Sequence, residues 1–113
     1  MIVEYIRYDL PEESRDAFEA AYAEAQASLV ASPHCLGYEL ARCGEEPGRY
    51  TLRIEWDSAD GHMQGFRRSP DFPRFLAAVR PFIPHIEEMR HYHPTGVQGR
   101  KETAAASGET GSG

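Results

Sequence analysis

Apolar and polar residues alternate through "MIVEYIRY", and the β-branched and aromatic content of that run predicts a first strand over residues 2–8, ended by Asp9 and Pro11. The period then changes. "PEESRDAFEAAYAEAQASLVAS" opens with proline and acids, as a helix N-terminus prefers, and carries Phe18, Tyr22, Ala25 and Leu29 at spacings of three and four. "SPH" stops it, because the residue before a proline is pushed out of the helical region. "CLGYELARC" reads as a second strand with Leu36, Tyr38 and Leu40 on one face, and "GEEPG" as a turn. "RYTLRIEW" is the clearest strand: Tyr50, Leu52, Ile54 and Trp56 lie on one side, Thr51, Arg53 and Glu55 on the other.

After that strand, Asp57 or Ser58 is placed to cap a short helix containing Met63 and Phe66, which breaks near "SPDFP". "RFLAAVRPFI" presents Phe75, Leu76 and Val79 to a core. "HIEEMRHYH" predicts a last strand with Ile86, Glu88, Arg90 and Tyr92 opposite Glu87, Met89, His91 and His93. The order β-α-β-β-α-β predicts an α+β, ferredoxin-like sandwich, with helices on one face of a four-stranded antiparallel sheet. Five aromatics, Tyr5, Tyr38, Tyr50, Trp56 and Tyr92, exceed what two helical layers should cover. The other face is therefore expected to be partly apolar and buried in a homodimer.

Composition narrows the picture. The chain has 113 residues, the size of one domain, here assigned to residues 1–95. From residue 96 on, "GVQGRKETAAASGETGSG" has no aromatic and reads as a flexible tail over 96–113. A net charge of -6 argues against nucleic acid as a partner. Arg67, Arg68 and Arg74 gather around Asp71 and read as a solvated helix face. No apolar run approaches the roughly 20 residues that span a bilayer, so no membrane partner and a cytoplasmic location are expected. On one straight strand Cys35 and Cys43 would stand about 26 Å apart, too far for a disulfide and consistent with free thiols.

At "TLRIEWDSADGHMQGFRRSPDF" a strand ending in Trp is followed by an acid, Ser, a short helix and a Ser-Pro near Phe. This stretch, with "SPHCLGYEL" before it, resembles the antibiotic biosynthesis monooxygenase family over residues 1 to about 94. The resemblance implies a dimeric α/β barrel and a pocket for a flat aromatic molecule. Some members are cofactor-free oxygenases that turn phenols or quinols into quinones; others degrade haem, and others have no assigned activity. Carried over, a pocket-lining Trp falls on Trp56 and an early-helix polar or aromatic residue on His62. An oxyanion-stabilising Asn four positions before the Trp falls on Leu52. The haem-degrading branch needs an Asn in the first strand, a further Trp and a ligating His. "VEYIRY", "GHMQGF" and "FLAAVR" contain none of them.

Cofactor-free oxidation of a phenol by O₂ needs a base, an anion-stabilising group and a stacking surface. His62 is the expected base, Arg53 or Arg7 the group beside the anion, and Trp56, Tyr38, Tyr50 and Phe66 the wall around the ring. Each has a plainer reading: Trp56 as core or dimer contact, His62 as solvated, Arg53 paired with Glu39 or Glu55. His91 and His93 share a strand face and would offer a metal two imidazoles. A third ligand has no fixed spacing to them, so neither metal nor cofactor is expected. The alternative function is a non-catalytic dimeric module that binds a small ligand or a partner.

Overall fold

The computed structural model describes residues 1–102; residues 103–113, most of the expected tail, lie outside the described residues. The strands are β1 (Ile2–Asp9), β2 (Cys35–Arg42), β3 (Arg49–Trp56) and β4 (Ile86–Tyr92), and the α-helices are α1 (Arg15–Ala31) and α2 (Phe72–Val79). A single 3-10 turn, Glu12–Ser14, leads into α1. A π-helix, Gly61–Phe66, follows β3, and a 3-10 segment, Arg80–His85, joins α2 to β4. All neighbouring strands are antiparallel, in the order β2-β3-β1-β4. Placing β1 and β3 in the centre gives the split βαβ arrangement that the element order predicts.

The helices cover one sheet face because α1 keeps its apolar stripe on one side: Phe18, Tyr22, Ala25 and Leu29 are all buried. Phe18, fully buried, packs edge-on or tilted against Tyr8, Tyr22, Tyr50 and Phe82, with ring centroids 4.7–5.3 Å apart. Gly48 is a steric requirement of this packing. Its carbonyl accepts the Leu10 N–H at 2.8 Å, and a Cβ there would stand 2.6 Å from the Leu10 carbonyl oxygen. Cys35 and Cys43 are free. Among the described residues no helix is long and apolar enough to cross a membrane.

Three expectations are corrected. First, Tyr38, Tyr50 and Trp56 all lie on the helix side, where Tyr38 pairs in register with Ile54 and Tyr50 with Tyr8. Only Tyr5 and Tyr92 remain on the open face, edge to face at 5.2 Å. Ion pairs surround them, Arg7–Glu88 at 3.0 Å, Arg90–Glu88 at 2.8 Å and Arg53–Glu55, so that face is largely charged. Second, β4 does not alternate evenly. Tyr8 pairs with Ile86 but Arg7 with Glu88, so Glu87 is an extra bulge residue. The bulge turns Ile86 to the same side as Met89 and His91. Third, a register shift between Cys35 and Gly37 leaves Leu36 exposed instead of aligned with Tyr38 and Leu40. The expected short helix after β3 is present and is π-type: the Arg67 N–H reaches the His62 carbonyl at 3.0 Å, five residues back.

Candidate functional site

The corner after Trp56 is built by local hydrogen bonds. The Gly61 N–H donates to Ser58 Oγ at 2.8 Å, the capping role expected of Asp57 or Ser58. Asp57 instead holds His34, through its own N–H to the His34 carbonyl and through Oδ2 to His34 Nδ1, both at 2.9 Å. The hydrogen bond from His34 holds the Asp57 carboxyl below its ordinary range. Gly65 lets this histidine lie against the π-helix, since a Cβ there would meet the ring at 2.3 Å. The π-helix so anchored turns His62 and Phe66 inward, and both are buried. A π-turn at this position fits the tendency of such bulges to occur at functional sites.

Between the sheet and these helices lies a cavity of about 310 Å³. Its walls are mainly apolar: Ile6, Ile54, Phe75, Leu76, Val79 and Met89 contribute, with Trp56 and Phe66. Its polar groups gather around Glu4, His62 and His91. The His62 ring stacks on Trp56, centroids 4.4 Å apart and planes 11° from parallel. His62 Nδ1 lies 2.8 Å from His91 Nε2, a distance at which the two imidazoles share one proton. Trp56 Nε1–H donates to Glu4 Oε1 at 3.0 Å, and the same oxygen lies 3.6 Å from His62 Nε2, beyond a good hydrogen bond. Glu4 and His91 are cross-strand partners, which brings them to His62 together.

Burial sets the protonation of this group. It raises the Glu4 carboxyl, an effect partly offset by the Trp56 N–H and by the nearby charges of His91 and Arg67. Burial likewise depresses His62, to about 4, with the charges of His91 and Arg67 adding to it. His62 is therefore a neutral imidazole at neutral pH. Tyr8 and Tyr22, also on the cavity wall, share a hydrogen bond between their hydroxyls at 2.5 Å. Burial pushes Tyr8 up to about 12 and Tyr22 higher still, so both stay protonated.

Of the residues expected at the site, Trp56, His62 and Phe66 line this cavity. Tyr38 lines a shallower depression beside α1, where its hydroxyl donates to Gln26 Oε1 at 2.7 Å. Tyr50 is buried in the core and its hydroxyl bonds Glu19. Arg53 and Arg7 are displaced from their expected role, because strand alternation turns them to the open face. There Arg53 bonds Glu55 and the Tyr5 hydroxyl, and Arg7 bonds Glu88. Leu52, in the position of the family's Asn, is buried in the core. Glu4, His91 and Arg67 also line the cavity; the sequence offers His91 only as a metal pair with His93, and Arg67 only as part of a solvated helix face. Glu4 reads as an ordinary polar position in a strand, and only its pairing with His91 and its bond to Trp56 distinguish it.

An antiparallel sheet with a helix-walled, aromatic-lined cavity defines a ferredoxin-like protein with a pocket between its sheet and its helices. The model of the antibiotic biosynthesis monooxygenase family matches residues 1–78, and the chain belongs to that family. A solved structure from Bordetella bronchiseptica, described as a candidate antibiotic biosynthesis monooxygenase, is 30% identical, with a TM-score of 0.70 over 83% of this chain and 96% of that one. The Bacillus subtilis protein YczJ, described as uncharacterized, is 25% identical over 92 residues, 81% of this chain and 97% of its own. An asparagine-to-alanine variant of SnoaB, a cofactor-independent oxygenase from Streptomyces nogalater, shares the fold. It is 19% identical, with a TM-score of 0.65 over 89% of this chain and 97% of its own.

Proposed function

We propose that the chain is a cofactor-independent monooxygenase that oxidises a phenolic or quinol ring with O₂. The observation that supports this best is the apolar cavity with one polar wall, where neutral His62 is stacked on Trp56 and hydrogen-bonded to His91. A flat ring would lie among Trp56, Phe66 and the aliphatic wall, with its hydroxyl toward the histidines. The imidazole pair takes the phenolic proton, and exposed His91 carries the charge where water solvates it. Arg67, at the cavity wall, takes the anion-stabilising role first expected of Arg53 or Arg7. The phenolate then gives an electron to O₂, the radical pair joins as a C–O bond, and loss of the ring proton with O–O cleavage yields quinone and water. Phenol plus O₂ thus becomes quinone plus H₂O, with no external reductant.

The test is O₂ uptake by EDTA-treated protein on a panel of quinols. Uptake should fall by about 10²-fold or more in both His62→Ala and His91→Ala, in line with loss of a general base. Uptake untouched by both changes overturns the assignment. A second reading, a non-catalytic ligand-binding module, is favoured by Leu52, which supplies no amide. Tight binding of a quinol without O₂ consumption would select it.

The same reading includes a homodimer joined through the open sheet face, with Tyr5 and Tyr92 at its centre and the Arg7, Arg53, Glu55 and Glu88 charges around them. Light scattering on the eluting protein should give twice the 12.7 kDa of one chain, and Tyr5→Asp with Tyr92→Asp should return it to monomer. A monomeric mass for the unaltered chain at micromolar concentration would rule this out.

A further inference from the structure

We propose that Glu4, His62 and His91 form a binding site for a divalent transition-metal ion in the cavity wall. One ligand atom from each of the three lies within 4.8 Å of the other two. They come from β1, the π-helix and β4, three elements joined by the sheet and the anchored corner, so the site is assembled by the fold. Two nitrogens bound to one ion at about 2.1 Å each stand roughly 3–3.4 Å apart. His62 Nδ1 and His91 Nε2 are already 2.8 Å apart, so replacing the shared proton by a metal needs only a small opening of the pair.

Glu4 supplies the independent observation. Its side chain is 4% exposed, yet among the described residues only Oε1 has a hydrogen-bond donor, Trp56 Nε1–H. Among the described residues Oε2 accepts no hydrogen bond. A buried carboxylate with an idle oxygen is costly, and a cation beside it removes that cost. The Trp56 bond is also what a ligating carboxylate usually has, an outer partner that fixes its orientation. Two imidazoles and one carboxylate suit zinc, cobalt, nickel or ferrous iron, and they disfavour magnesium and calcium, which prefer all-oxygen sites. Three protein ligands leave positions open toward the cavity. Arg67 is the like charge nearby, but it is exposed, and among the described residues its contacts are weak ones, Met63 Sδ at 4.0 Å and the face of the Phe72 ring at 5.4 Å, so it can swing away.

The sequence pairs His91 with His93, whereas the fold pairs His91 with Glu4 and His62 and leaves His93 exposed outside the group. That supplies the control. Co²⁺ titrated into the EDTA-treated full chain should give visible d–d bands that saturate at one ion per chain, and Zn²⁺ should bleach them while Mg²⁺ does not. His91→Ala and Glu4→Gln should each weaken Co²⁺ binding at least tenfold, with His93→Ala unchanged. His91 is exposed and Glu4→Gln keeps the acceptor for Trp56, so both variants should fold, as circular dichroism would verify. Trp56→Phe should weaken binding about 10- to 100-fold through the carboxylate it orients. Absence of d–d bands overturns the proposal, as does binding that His91→Ala and Glu4→Gln leave intact or that His93→Ala abolishes. Because the readout is binding and not turnover, its failure is separate from failure of the oxygenase reading.

Discussion

Trp56→Ala should destabilise the protein by about 3–5 kcal/mol in urea or guanidinium unfolding, a large part of the stability of a domain this size. Trp56 is fully buried at the end of β3, stacked on His62 and 5.1 Å from Phe66. Deleting the indole costs its transfer free energy and leaves a void between the sheet and the π-helix. It also strips Glu4 Oε1 of the one hydrogen-bond donor it has among the described residues, leaving the buried carboxylate without a donor from any of them. Trp56→Phe separates the two contributions. It keeps most of the packing and loses the N–H, so it should cost about 1–3 kcal/mol. A Trp56→Ala variant within about 1 kcal/mol of the original would mean that the indole neither fills nor fixes this corner.

That corner also shows what can be read from a sequence and what cannot. The stripe Phe18, Tyr22, Ala25, Leu29 and the alternation Tyr50, Leu52, Ile54, Trp56 are local patterns, and they place α1 and β3 correctly. "WDSADGHMQGF" marks a capped turn after Trp56 by the same local logic, with Ser58 as the cap. The candidate site is only half local. His62 and Trp56 are six positions apart, but Glu4 and His91 meet them only through the β1–β4 register, which no spacing along the chain announces. The Glu87 bulge is equally silent, because one extra residue costs little in the strand and changes which later side chains face the cavity. Arg53 and Arg7 are the opposite case: their own alternation puts them opposite Trp56 and Tyr8, on the face away from the cavity. Arg67, in a charge cluster that reads as solvated helix, is the arginine that reaches the cavity.

Acid should expose the cost of holding His62 neutral. Its pKa is about 4 in the folded protein, against about 6.5 for a free imidazole, so the unfolded chain binds the proton first. The contribution of His62 is therefore complete above about pH 6.5 and is lost as pH falls toward about 4, amounting to roughly 2.5 kcal/mol by about pH 4.5. Glu4 acts in the other direction. Its folded pKa is raised, so its contribution is present below the unfolded carboxyl range and is lost as pH rises through the folded value. Neutral pH thus satisfies His62 and penalises Glu4, and moderate acid reverses both. In EDTA-treated protein, urea midpoints between about pH 7 and pH 4.5 should show this opposition once either group is removed. His62→Phe keeps a ring on Trp56 and removes the titration, so its stability should fall less with acid than that of the original chain. Glu4→Gln should be more stable than the original near neutral pH and should fall more steeply below it. A His62→Phe variant that loses stability as steeply as the original would show that the imidazole is not held neutral by the fold. The same outcome would give His62 an ordinary imidazole pKa of about 6.5, so its capacity to act as a base toward a phenol would fade as pH falls through about 6.5 and not through about 4.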